Sequence, residues 1–117
     1  MRQDFIEGKL LINLDSDEEG TLIIGCAGGQ RTEMFLPLAY EDVPEGYRPH
    51  LLKASRMMGG HSGTEINAER ANAIQVTARV LDKLGNQADL QLSYIQGGTV
   101  GNAIPRDTRA IVFFPYT

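Results

Sequence analysis

The sequence predicts an α+β chain. Its main part is a partial ferredoxin-like arrangement, an antiparallel sheet with a helix on one face, and one strand of the α/β type precedes it. Three observations carry this reading. Apolar residues run without a break inside Lys9–Leu14. They alternate with polar residues over Asp89–Gln96. Between these segments they recur at helical spacing.

In chain order, Leu10, Leu11, Ile12 and Leu14 form a run that stops abruptly at Asp15, as suits a strand buried on both faces of a parallel sheet. Thr21 to Cys26 is a second short strand, and Cys26-Ala27-Gly28-Gly29 a turn. Gln30 to Tyr40 and Tyr47 to Met57 suit two further strands, with Pro44 and Gly46 in their connection. Ser62-Gly63-Thr64-Glu65 then matches a capping box: Ser62 (or Thr64) caps a helix and Glu65 reaches back. Ala71, Ile74, Ala78 and Leu81 make its apolar stripe, and Lys83-Leu84-Gly85-Asn86 closes it. Leu90, Leu92 and Tyr94 alternate with Gln91 and Ser93 as in a half-buried strand, and Arg109 to Phe114 is the last strand. Strand, helix, strand, strand is the front half of a split βαβ unit, which would continue with a helix and one more strand. The pattern changes character near Gln30. Residues 1–29 are therefore expected to end one domain and residues 30–117 to form another.

Composition narrows the function classes. The chain has 117 residues, 42% hydrophobic and 22% charged, which is the balance of a folded domain rather than a disordered one. Its net charge of -4 argues against nucleic acid or an anionic membrane as the main partner. One cysteine, Cys26, excludes an internal disulfide and fits a reducing compartment. No apolar stretch nears the roughly 20 residues of a membrane span, and Met1-Arg2-Gln3-Asp4-Phe5 lacks the organisation of a signal peptide. A cytoplasmic protein is expected.

Two glycine-flanked segments carry the candidate chemistry: Gly59-Gly60-His61-Ser62-Gly63, and Gly97-Gly98-Thr99-Val100-Gly101-Asn102-Ala103-Ile104-Pro105-Arg106. Glycine lets a backbone turn or approach a ligand closely. His61 at a strand-to-helix junction can donate to developing negative charge or bind a metal, or it is a capping histidine. Asn102 can hold a carbonyl oxygen and Arg106 can fork onto a carboxylate, or both are ordinary loop residues. Asp15, at the end of an apolar strand, is placed to ligate a metal or to serve a turn. Asp15-Ser16-Asp17-Glu18-Glu19-Gly20 resembles the opening of a calcium loop, but its twelfth position is Cys26 where a bidentate glutamate is required, so an acidic turn is the better reading. Neither a Walker nor a dinucleotide fingerprint is present.

Taken together, four blocks resemble one family: Leu11-Ile12-Asn13-Leu14-Asp15-Ser16-Asp17-Glu18-Glu19-Gly20, Gly25-Cys26-Ala27-Gly28-Gly29, the His61 segment, and Gly97-Gly98-Thr99 with Asn102-Ala103-Ile104-Pro105-Arg106. They are similar to the aminoacyl-histidine dipeptidases, also called Xaa-His or cytosolic non-specific dipeptidases, within the dizinc exopeptidases that include carboxypeptidase G and aminoacylase. Asn72 and Arg79 also fit the pattern. The resemblance implies a catalytic α/β domain with two zinc ions, or manganese or cobalt, and an inserted lid that also dimerises. Residues 1–29 would end the catalytic domain, and residues 30–117 would be a lid truncated before its last helix and strand. Asp15 would be a metal ligand, and His61 would stabilise the oxyanion, often in the partner subunit's site. Asn102 and Arg106 would hold the dipeptide substrate.

This sequence departs from the family pattern by lacking the other histidine ligands, the bridging aspartate and the Glu-Glu pair that holds the base. One carboxylate cannot hold two zinc ions. The resemblance therefore implies a segment of a homodimeric metallo-dipeptidase that is inactive by itself. The alternative is a stand-alone oligomerisation module without catalysis. A small hydrolase using Cys26 or Ser62 with His61 is the weakest reading.

Overall fold

The computed structural model describes residues 7–14, 18–25 and 28–116. The chain divides into two units, Met1–Pro37 and Leu38–Thr117.

In the first unit the described residues form no helix or strand. The acidic stretch makes a turn: the Thr21 N–H donates to the Glu18 carbonyl at 3.4 Å, and Gly20 takes a φ of 77°. The strands expected at Lys9–Leu14, Thr21–Cys26 and Gln30–Tyr40 are not formed among the described residues, and Asp15 and Cys26 lie outside them. A strand needs a neighbour to take up its backbone hydrogen bonds, and no described segment pairs with these runs. Leu10, Leu11, Ile12 and Leu14 consequently stay exposed.

The second unit is the expected α+β arrangement. Strand β1 (Tyr47–Ala54), helix α1 (Ala73–Gly85), strand β2 (Gln91–Gly97) and strand β3 (Thr108–Pro115) follow in that order. The sheet order is β1-β3-β2, with β3 antiparallel to both neighbours. The crossover from β1 through α1 to β2 thus leaves a gap that β3 fills, which is the split βαβ unit.

Helix α1 lies on one face of the sheet and packs on all three strands. On β3, alternate residues Thr108, Ala110 and Val112 are buried, while Arg109 and Ile111 are exposed. Small residues set the closeness of approach, since Ala73 of the helix and Ala110 of β3 are both fully buried. On β1, Leu52 stands opposite Ala110. The Tyr47 hydroxyl donates to the Asp89 carboxylate, tying the start of β1 to the approach of β2, and this bond raises the phenol's pKa above its ordinary value.

Two expectations of register are corrected. Ser62 does not cap the long helix: a turn over 62–65 and a 3-10 turn at Ile66–Ala68 come first, and Glu69 breaks off in the left-handed region. Asn72 is the cap of α1, its Oδ1 accepting from the N–H groups of Ile74 and Gln75 at 3.0 and 3.2 Å. The packed positions are accordingly Ala73 and Thr77, not Ala71 and Ala78. In β2, Leu92 and Tyr94 do not share a face. The register shifts between them, so Leu92 opposes buried Val112 while Tyr94 opposes outward Ile111. A β-bulge inserts one residue and reverses the alternation beyond it.

The Oγ1 atoms of Thr77 and Thr108 are buried with no hydrogen-bond partner among the described residues. A buried hydroxyl without a partner costs stability, and valine has the same shape without that cost. Thr77→Val and Thr108→Val should each raise stability by about 1 kcal/mol. Urea denaturation of each variant checks this: a higher midpoint at unchanged slope is expected, and a lower midpoint would show that the hydroxyl has a partner.

Candidate functional site

Beyond the ends of β1 and β3 the two strands keep pairing. The Met57 N–H donates to the Arg106 carbonyl at 3.3 Å, the Ile104 N–H to the Gly60 carbonyl at 2.8 Å, and the Ser62 N–H to the Asn102 carbonyl at 2.9 Å. His61 and Ala103 form an antiparallel bridge between these bonds. Residues 57–62 and 102–106, the two glycine-flanked segments, are therefore the two sides of one ladder. It is offset from the β1–β3 register at Ser55 and Arg56, where Arg56 takes a φ of 65° and its N–H donates to the Asp107 carboxylate. The Ala73 N–H donates to the Pro105 carbonyl at 2.9 Å, which fastens the start of α1 to the same ladder.

Two glycines are required here by space as well as by conformation. Gly59 has a φ of 69°, and a Cβ there would fall 2.7 Å from Cδ of Arg106. Gly60 has a φ of 141°, and a Cβ there would fall 2.6 Å from Oε2 of Glu65. Side chains rarely tolerate either backbone, and a Cβ at either position would have to displace the side chain it meets.

The imidazole of His61 is oriented by its own turn. Its Nδ1 accepts from the N–H groups of Gly63 at 3.1 Å and Thr64 at 3.2 Å. The Glu65 carboxylate accepts from the His61 N–H at 2.7 Å, and the Glu65 N–H donates to the His61 carbonyl at 3.2 Å. This is the reciprocal logic of a capping box, moved one residue back from the expected Ser62. An Nδ1 that accepts carries no proton, so the neutral ring bears its proton on Nε2. His61 is exposed, and its Nε2–H has no partner among the described residues. Its basic nitrogen is occupied, which counts against pairing with Ser62 as base and nucleophile.

Arg106 is held by its Nε, which donates to the Met57 carbonyl at 2.9 Å. Its terminal nitrogens and the Asn102 amide have no partner among the described residues. The Asn102 and Arg106 side chains, with the Nε2–H of His61, therefore remain available to bind oxygen atoms of a carbonyl, a carboxylate or an oxyanion. One side of the ladder borders an open cleft of about 580 Å³. Ser62, Arg70, Asn72, Thr99 and Ile104 are among the residues that line it, whereas His61, Asn102 and Arg106 do not. No three His, Cys, Asp or Glu side chains converge on a common point among the described residues, so these residues alone do not fit a metal centre. Asp15, the expected ligand, lies outside them.

Glu65 is the residue expected to reach back in a capping box, but its pairing with Arg70 is what the sequence does not announce. They form an ion pair, and Arg70 Nη1 also donates to the Gly59 carbonyl at 2.7 Å. Five residues apart and outside any helix, they match no helical spacing rule.

Comparison with known proteins supplies the context. Residues 54–117 match the model of a family described as the peptidase dimerisation domain. The chain is 38% identical over 112 residues to the cytosol non-specific dipeptidase of Escherichia coli strain K12, covering 96% of this chain and 23% of that protein. It thus spans about a quarter of that relative's length. It is also similar to the crystal structure of the aminoacylhistidine dipeptidase from Vibrio alginolyticus, with a TM-score of 0.62 and 35% identity over 64% of this chain and 15% of that one.

The hydrogen bond from the His61 N–H, more than the nearby Arg70 charge, lowers the Glu65 pKa below its ordinary value of 4.5, against a smaller opposing effect of burial. A depressed carboxylate contributes stability that is complete above its unfolded value and lost as pH falls through the folded one. The grip of Glu65 on the His61 N–H should therefore be released only under acid conditions below that ordinary value. Titration of the Glu65 side-chain carboxyl carbon by NMR checks this, with Glu65→Gln as the control for assignment. A transition centred at or above the ordinary glutamate value would contradict it.

Proposed function

The chain belongs to the peptidase dimerisation domain family, and we propose that it serves as the lid segment of a metal-dependent cytoplasmic dipeptidase acting on Xaa-His and other dipeptides. The observation that supports the reading is the ladder that carries His61 on one strand and Asn102 and Arg106 on the other, each with hydrogen-bond donors left over. His61 Nε2–H would donate to the negative charge that develops on the carbonyl oxygen during hydrolysis, where a fixed donor is worth most. Asn102 would hold the substrate's carbonyl or carboxylate, and Arg106, braced at Nε, would offer its free edge to the same group.

Zinc, or manganese or cobalt in its place, would supply the hydrolytic water in the whole enzyme. Asp15 is the one ligand that this chain would contribute.

Self-association belongs to the same reading. Strand β1 pairs only with β3 among the described residues, so its other edge is open, and Leu51 and Ile111 on the face away from α1 are exposed. An open edge invites pairing with a like strand. The same features suit a second reading, in which the chain is an oligomerisation module without catalysis.

Two measurements test the lid reading. In a full-length dipeptidase carrying this segment, His61→Ala should lower kcat by about 10²- to 10³-fold with metal content unchanged; near-normal turnover would overturn the donor role. The 117-residue chain alone should sediment as a dimer and should not hydrolyse alanyl-histidine with added zinc or manganese. Metal-dependent turnover would mean that the chain assembles a complete site.

A further inference from the structure

His61 sits in a segment that has every reason to be loose. Gly59 and Gly60 precede it, Gly63 follows, and its own side chain is exposed, so burial does not hold it. Two charged side chains make up for this. Glu65 accepts from the His61 N–H through Oε2, while its Oε1 pairs with Arg70 Nη2. Arg70 Nη1 donates to the Gly59 carbonyl. The pair therefore grips the chain on both sides of Gly60, by the carbonyl before it and the N–H after it. The Arg70 side chain is 22% exposed and that of Glu65 37%, so only the arginine end of the pair is shielded from water.

We infer that Glu65 and Arg70 are positioning residues that hold His61 in the tautomer presenting Nε2–H. The route is geometric. The grip on the His61 N–H closes the turn that brings the Gly63 and Thr64 N–H groups against Nδ1. Two donors at Nδ1 exclude a proton there and leave it on Nε2. The free N–H is thus set by a carboxylate that never touches the ring. A neutral donor with a fixed proton suits a site where negative charge develops on an oxygen. The functional weight of this inference rests on the donor role proposed for His61; the clamp itself does not.

The test uses the 117-residue chain, labelled with nitrogen-15, in long-range proton–nitrogen spectra at a pH where the imidazole is neutral. Each hydrogen bond at Nδ1 should favour the Nε2–H form about fivefold. Glu65→Ala should bring the tautomer ratio back toward that of a free histidine side chain while the amide signals of the sheet stay in place. An unchanged ratio in that variant would overturn the clamp. Should Glu65→Ala fail to fold, Arg70→Lys serves: it keeps the charge but lacks the rigid fork that reaches both Glu65 and Gly59, so a partial loss is expected and no loss overturns the idea. A shifted ratio in Glu65→Ala alongside normal turnover in a full-length His61→Ala enzyme would uphold the clamp and reject the donor role.

Discussion

The structure of residues 38–117 depends on one long-range interaction, the antiparallel pairing of residues 47–62 with residues 102–115. Its inner part is the β1–β3 ladder, and its outer part is the ladder that carries His61. Bonding partners such as Met57 and Arg106 are 49 residues apart in the chain. Closing so large a loop costs entropy that no local preference can repay, so the pairing holds only because α1 covers the same strands. Ala73 serves both ends of this arrangement. Its side chain is buried, and its N–H is bonded to Pro105 in the outer ladder.

A consequence is that the candidate site is built as an extension of the sheet rather than as a free loop. A loop would leave its functional groups to find their geometry on binding, at a cost in ordering entropy. Here the backbone bonds of Gly60, Ser62, Asn102, Ile104 and Arg106 are taken up across the ladder. The side chains that remain unsatisfied are those with something to offer a ligand. Glycine appears where the ladder has no room: Arg106 lies over Gly59, and Glu65 and Arg70 lie over Gly60.

The two ring nitrogens of His61 are placed differently. Nδ1 organises the turn by accepting backbone donors, and Nε2–H has no partner among the described residues. The capping reading of this histidine therefore holds. It is a capping residue, and the capping is what orients its other nitrogen. Glu65 contributes from outside the ring, and its carboxyl is kept ionised by the N–H that it grips.

Much of this was legible in the residues. The α+β class and the order strand–helix–strand–strand follow from periodicity, the two glycine-flanked segments mark His61, Asn102 and Arg106 as candidates, and the four blocks point to the family to which the chain belongs. Local signals such as alternation, caps and glycine pairs act over a few residues, and a sequence displays them directly. What the sequence misplaces depends on partners far along the chain. The apolar run Leu10–Leu14 reads as a strand, yet a strand exists only where another accepts its hydrogen bonds. The bulge in β2 turns Tyr94 away from the helix because β3 dictates the register. The long helix starts at Asn72 rather than Ser62 because the turn at His61 is closed by Glu65 and then interrupted at Glu69. The sequence by itself determined which residues could do chemistry. Only the tertiary structure decided that they share one ladder, because backbone hydrogen bonds between segments some forty residues apart exist only once the chain has closed on itself.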